Sequence, residues 1–272
     1  MRTFVLVHGA WHGAGHLCGL ARELTCRGHR AIAVDLPGHG TRARFPSGYP
    51  DRPGWPDAPS PLAGLTLDDL AGDLLGLLRG LDRPGEERPV VVAHSIGGVV
   101  ATRAAELAPG LVGELVYLAA FVPTVLGAAG AYLATPEAAA ASGASLYLGD
   151  PAATGAVRID PRRTDPGYRR ELRETYLTGL DDADALAHAL TPDQPLCLLG
   201  TDPAATAGRW GSVPRRYLRA ARDRALPPGL QDLMISHADA TAPATAFRTD
   251  TLDAGHALFA SHPAAIADLL GG

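Results

Sequence analysis

Val90-Val91-Val92-Ala93-His94-Ser95-Ile96-Gly97-Gly98 decides how this chain folds. An apolar run of strand character leads into a serine, two glycines follow, and Val99–Leu107 then reads as a helix. Strand, sharp turn and helix form the context of the pattern G-x-S-x-G. Ala93 takes the first glycine position and Gly97 the second. Only small side chains fit two residues either side of the serine in so tight a turn, and alanine is small. The bend lifts the Ser95 hydroxyl out at the end of the strand. It also sets the next helix's N-terminus behind it, where partial positive charge favours an anion.

Working outward, similar apolar runs recur at Phe4–Val7, Ala31–Val34, Leu115–Leu118, Tyr217–Ala220 and Phe247–Leu252, each followed by a turn and helix-like sequence. The first two, with Val90–Ala93 and Leu115–Leu118, are nearly continuous in Val, Leu, Ile and Ala, the composition of strands covered on both faces. This alternation predicts an α/β fold with a mainly parallel sheet flanked by helices and right-handed crossovers. Ligands of such sheets bind beyond the carboxyl ends of the strands. Two segments break the rhythm. Residues 123–208 separate the fourth strand from the fifth, where a simple crossover needs far fewer residues. With helix-like pieces at Tyr168–Thr178 and Asp182–Ala189, they read as a lid inserted in a core of residues 1–122 and 209–272. Residues 41–65 carry six prolines with Phe45, Tyr49 and Trp55 among them, too many for helix or central strand. They read either as a plain surface loop or as a stiff flap with aromatic contacts.

A serine nucleophile needs two backbone N–H donors for the oxyanion, a base, and a group to orient that base. One donor is the amide of Ile96, next after the serine. The other is expected from the loop after the first strand, Val5-Leu6-Val7-His8-Gly9-Ala10-Trp11, at Ala10. His8 itself reads as a hydrogen-bonded scaffold residue. Among ten histidines, His256 is the expected base: it follows the last strand across Asp253-Ala254-Gly255 and precedes a final helix, Pro263–Leu270. His262 is its rival. His12, His16, His29, His39 and His188 read as surface or capping residues. Asp223, in the loop after the fifth strand, is the expected orienting carboxylate. Asp202 and Asp253 are its rivals, and a salt bridge with Arg222 or Arg224 is its structural alternative. Trp11, His94 and Phe121 flank these motifs and are expected at the substrate.

Composition narrows the chemistry. A net charge of −5 without a like-charge block argues against nucleic acid or an anionic membrane as partner. All 24 basic residues are Arg, which excludes any mechanism needing a side-chain amine. Cys18, Cys26 and Cys197 are odd in number with no CxxC pair, so they read as small apolar core residues in a reducing compartment. No signal-peptide core follows Met1 and no apolar stretch is long enough for a bilayer, so a cytoplasmic location is expected. HExxH, GxGxxG after a strand and GxxxxGK are all absent, so neither metal nor cofactor is expected.

The chain resembles the α/β-hydrolases that include plant methylesterases, hydroxynitrile lyases and bacterial esterases. Phe4–Gly13, Ala93–Gly98, Leu118–Pro123, Arg209–Pro214, Asp223–Pro227 and Gly255-His256 carry the resemblance, in order along almost the whole chain. It implies the α/β-hydrolase fold, a triad Ser95–Asp223–His256 and an oxyanion hole from Ala10 and Ile96. The lyases carry a lysine after the histidine and a threonine after the first-strand histidine. Ala257 and Gly9 stand here, which argues against cyanohydrin cleavage. The expected activity is hydrolysis of a small-molecule carboxylic ester through an acyl-enzyme. A thioesterase, lactonase or natural-product deacylase on the same residues is the alternative, and a non-catalytic ligand receptor is the rival of another class. Segment 41–65 is longer than the family pattern and points to a larger, flat or aromatic acyl group. Self-association into a homodimer is left open.

Overall fold

The computed structural model describes residues 1–180 and 182–271. Among the described residues eight strands run in chain order: β1 (Thr3–Val7), β2 (Arg30–Val34), β3 (Val90–His94), β4 (Glu114–Leu118), β5 (Ala156–Arg158), β6 (Asp193–Pro195), β7 (Arg215–Ala220) and β8 (Arg248–Leu252). Six of them form one all-parallel sheet in the order β2-β1-β3-β4-β7-β8. The apolar runs explain why. In β1, Val5 and Val7 pack on one side of the sheet, Phe4 and Leu6 on the other. Val91 and Ala93 of β3 alternate with Val90 and Val92 in the same way. Period-two side chains that are apolar at every position require cover on both faces.

Helices supply that cover. On one face lie α2 (Leu67–Leu81), α3 (Gly97–Leu107) and α9 (Pro228–Thr241); on the other lie α1 (Cys18–Cys26), α10 (Leu258–Ser261) and α11 (Pro263–Gly271). Helix α2 starts at Thr66, whose hydroxyl accepts from the Asp69 amide while Asp69 reaches back to the Thr66 amide. Among the described residues no helix is long and apolar enough to cross a membrane. The cysteine expectation fails for two of three. Cys18 and Cys26 are exposed and Cys197 is half-buried. Leu20 and Leu24 of α1 face the core, and positions two residues away from them point to the opposite side of the helix.

Between β4 and β7 the chain builds α4 (Ala129–Leu133), α5 (Pro151–Thr154), α6 (Pro166–Tyr176), α7 (Ala183–His188), α8 (Cys197–Gly200) and the antiparallel pair β5–β6. In that pair Arg158 faces Asp193, and both are fully buried. Their bond is bidentate, Nε to Oδ1 at 2.6 Å and Nη2 to Oδ2 at 2.8 Å. The remaining Nη1 donates to the carbonyls of Trp55, Pro56 and Ala58 at 2.8–2.9 Å. One guanidinium thus pins the proline-rich segment to the inserted segment by three of its carbonyls. Removing one member of a buried ion pair leaves the other uncompensated. Asp193→Ala is therefore expected to lower unfolding free energy by about 3–5 kcal/mol in urea denaturation; a loss below about 1 kcal/mol would mean the fork holds nothing.

Candidate active site

Ser95 lies where β3 hands over to α3, with φ +53°, a left-handed conformation that side chains rarely adopt. Its neighbours make the turn possible. A Cβ on Gly97 would stand 2.4 Å from the His8 carbonyl oxygen, and one on Gly98 would stand 2.2 Å from that of Phe121. Close backbone approach requires both glycines; the sequence pattern implied this for Gly97. The amides of Gly98 and Phe121 both donate to the Ser95 carbonyl at 3.0 Å and fasten the bend.

From that bend the Ser95 hydroxyl reaches His256 Nε2 at 2.9 Å. On the far side of the ring, His256 Nδ1–H donates to Asp223 Oδ2 at 2.8 Å. The other carboxylate oxygen of Asp223 accepts the amides of Ala225 (2.8 Å) and Leu226 (2.9 Å), so its orientation is set by its own loop. Asp223 is 4% exposed, and the alternative of a salt bridge fails: Arg222 pairs with Asp253 and Arg224 with Glu174. The other rivals lie elsewhere. Asp202 caps a turn at the Ala204 amide, and His262 bonds Ser261.

A cavity of about 350 Å³ opens over Ser95. Of the expected residues, Ala10, Ile96, Trp11 and Phe121 line it. Among the described residues the amides of Ala10 and Ile96 donate to no protein acceptor, so both N–H groups are free beside the serine. Trp11 also takes a left-handed φ, +61°. Three segment 123–208 partners hold it there: its indole donates to the Val157 carbonyl at 3.0 Å, its amide to Gln194 Oε1, and its carbonyl accepts from Thr191.

His94 is a correction. It was expected at the substrate, yet it lies behind the serine, 1% exposed and outside the cavity wall. Being one residue from Ser95 on a strand, it leaves the sheet on the other face. A second correction concerns His12 and His39, which are buried, and His16, which is buried although it also accepts the Gly13 amide as a cap. His8 is the scaffold residue expected: its Nε2 accepts the Leu36 amide, its Nδ1–H donates to Gly9, and burial pushes its pKa down to about 3.

The rest of the wall was not foreseen. It comes mainly from segment 123–208: Ala138, Ala141 and Ala144, with Leu133, Tyr147 and Tyr176. The two tyrosine hydroxyls stand 3.3 Å apart, and burial raises both pKa values, so they stay protonated. None of the residues lining the cavity is charged. Nor does any come from segment 41–65. Its aromatic rings pack on each other, Phe45 stacked on Tyr49 and Tyr49 edge-on to Trp55, with the Arg158 guanidinium over Trp55. An alanine-rich stretch without helical period gives no signal of what it will face.

Comparison with known proteins agrees with this architecture. The chain is similar to Methylesterase 9 of Arabidopsis thaliana, 27% identical over 254 residues that cover 87% of this chain and 86% of that protein. It is 35% identical to the carbendazim hydrolyzing esterase of Nocardioides sp. over 123 residues, and that match spans 45% of this chain and 43% of the relative's length. Its fold is that of the pyrethroid hydrolase of Sphingobium faniae JZ-2, with a TM-score of 0.75 at 21% identity over 99% of this chain and 95% of the other. Polyneuridine aldehyde esterase superposes with a TM-score of 0.73 at 22% identity, over 99% and 98% of the two chains. The family model described as the Alpha/beta hydrolase family matches residues 4–269, and with it the chain belongs to the α/β hydrolase family.

Proposed function

We propose that the protein hydrolyses an uncharged carboxylic ester through an acyl-enzyme on Ser95. One observation carries this reading: a continuous hydrogen-bonded row, Ser95–His256–Asp223, whose serine lines a cavity without charged walls. Ser95 Oγ attacks the ester carbonyl carbon as its proton passes to His256 Nε2. The Ala10 and Ile96 amides hold the oxyanion. Collapse expels the alcohol, which takes the proton back from His256. Water then repeats the sequence on the acyl-enzyme and frees the carboxylic acid. Asp223 keeps the imidazole in the tautomer that can accept at Nε2. Segment 123–208 serves in this scheme as the lid over a core of residues 1–122 and 209–272. The names of the relatives, methylesterase and carbendazim hydrolyzing esterase, favour an ester over a thioester or lactone.

Burying a charge without a partner costs several kcal/mol. An anionic ester is thus expected to show kcat/KM at least about 100-fold below a neutral ester of equal size. The direct test is labelling with a fluorophosphonate, mapped by mass spectrometry, with turnover of a neutral p-nitrophenyl ester alongside. Label on Ser95 with steady turnover is the expected result. Binding of esters without product would favour the receptor reading, and label on another residue would overturn the site.

A further inference from the structure

His94 ends β3 and immediately precedes the serine, yet it touches no part of the cavity. Its Nε2 lies 2.9 Å from the main-chain carbonyl oxygen of His256. A carbonyl only accepts, so Nε2 carries the proton and donates. Among the described residues no backbone amide donates to that carbonyl. His256 itself stands in an irregular turn between β8 and α10, without the ladder of a strand or helix to fix it. The His94 ring is held in turn by Phe259, edge-on at 4.7 Å, and by His12 at 5.8 Å; its centroid is 4.7 Å from that of His256. Room for it exists because residue 9 is glycine: a Cβ there would stand 2.7 Å from His94 Nδ1 and 2.8 Å from Ser95 Cβ.

We infer that His94 is a positioning residue, which sets the His256 imidazole against Ser95 by gripping the His256 main chain. The inference rests on the reading of Ser95 and His256 as nucleophile and base. It follows from where the base is held. Hydrogen bonds to Asp223 and Ser95 direct the ring at its rim, and backbone bonds hold the chain at Ala254 and Ala257, which leaves the His256 peptide itself to His94. The His94 bond adds a third point, and it comes from the residue joined covalently to the nucleophile. Any displacement of β3 therefore carries hydroxyl and imidazole together. Burial keeps His94 neutral, with the neighbouring His256 acting in the same direction, so it places no second positive charge beside an imidazolium. Misplacing reacting groups by about 1 Å costs about 100-fold in rate.

The test compares His94→Met, which keeps length and volume without a donor, with His94→Gln, whose amide nitrogen is as many bonds from Cα as histidine Nε2. Thermal unfolding establishes that each is folded. With a neutral p-nitrophenyl ester, H94M is expected to lose about 100-fold in kcat with KM within about threefold, and H94Q to recover to within about tenfold of the parent. A readout independent of turnover is the far-downfield proton NMR signal of His256 Nδ1–H bonded to Asp223. It should broaden or vanish in H94M and persist in the parent and H94Q. Parent-like kcat and signal in H94M would overturn the inference, as would equal losses in folded H94M and H94Q. If H94M does not fold, His94→Asn takes its place, its amide too short to reach the carbonyl. An inert, unlabelled parent that still shows the NMR signal would instead reject the ester reading and leave the gripping contact to be judged by the signal alone.

Discussion

Replacing Ser95 by alanine is expected to lower kcat for a neutral aryl ester by about 10⁶, and His256→Ala by a similar factor. The double variant is expected to lose little more than either single one. In the proposed mechanism nucleophile and base act as one unit, because the hydroxyl has a single imidazole partner and the imidazole a single hydroxyl. Once either is gone the other has no proton to exchange. Asp223→Asn is expected to cost about 10⁴, since its neutral amide no longer imposes the tautomer that leaves Nε2 open. Its backbone bonds from Ala225 and Leu226 would keep the loop in place, which separates loss of charge from loss of structure. Active-site titration with a fluorophosphonate, run on each variant beside steady-state kinetics, checks all three. Additive losses in the double variant would mean that the residues do not act together.

Acid is expected to unfold the protein abruptly. His8, His12, His16, His39 and His94 are buried, and each donates one ring N–H to a main-chain carbonyl: Gly9, Ala10, Leu186, Pro37 and His256 respectively. Burial lowers the pKa of all five, with neighbouring histidines adding to the effect at His8 and His12. The unfolded chain takes up protons at these rings near pH 6.5, while the folded chain does not. Folded stability is therefore complete above pH 6.5 and falls as pH drops below it, a window that for His8 extends to about pH 3. With five rings acting together the slope reaches at most roughly 7 kcal/mol per pH unit, enough to exhaust an ordinary domain's stability within about two units. Urea unfolding followed by tryptophan fluorescence from pH 8 to 5 measures it. An unfolding free energy flat across that range would show that these rings charge as readily folded as unfolded.

The serine bend was legible because several constraints coincide in nine residues: continuous apolar strand, small residues on either side, helix after. His256 and Asp223 were legible through position alone, each just past the carboxyl end of a strand, where a parallel sheet collects its ligands. What failed were inferences needing the third dimension. Periodicity in α1 says which side of the helix is apolar, but Cys18 and Cys26 were judged by residue type and not by phase. His12 and His39 sit in loops, and loops are ordinarily at the surface; here both are buried, His12 among the rings of His16, His94 and Phe259 and His39 against that of His8. That Tyr147, Tyr176 and three alanines would meet at the serine depends on contacts between stretches with no recurring pattern. Nor did the prolines of 41–65 disclose that a single arginine, about a hundred residues on, would donate to three carbonyls of their segment.

The alanines at 138, 141 and 144 give any redesign of this binding chamber a direction. A wall already trimmed to single methyl groups has almost nothing left to remove. Bulkier replacements there narrow the chamber at once, whereas widening it has to begin from Leu133, Phe121 or the tyrosine pair. Selectivity can thus be sharpened toward slimmer molecules by one change, while acceptance of broader ones demands rebuilding around the aromatic side.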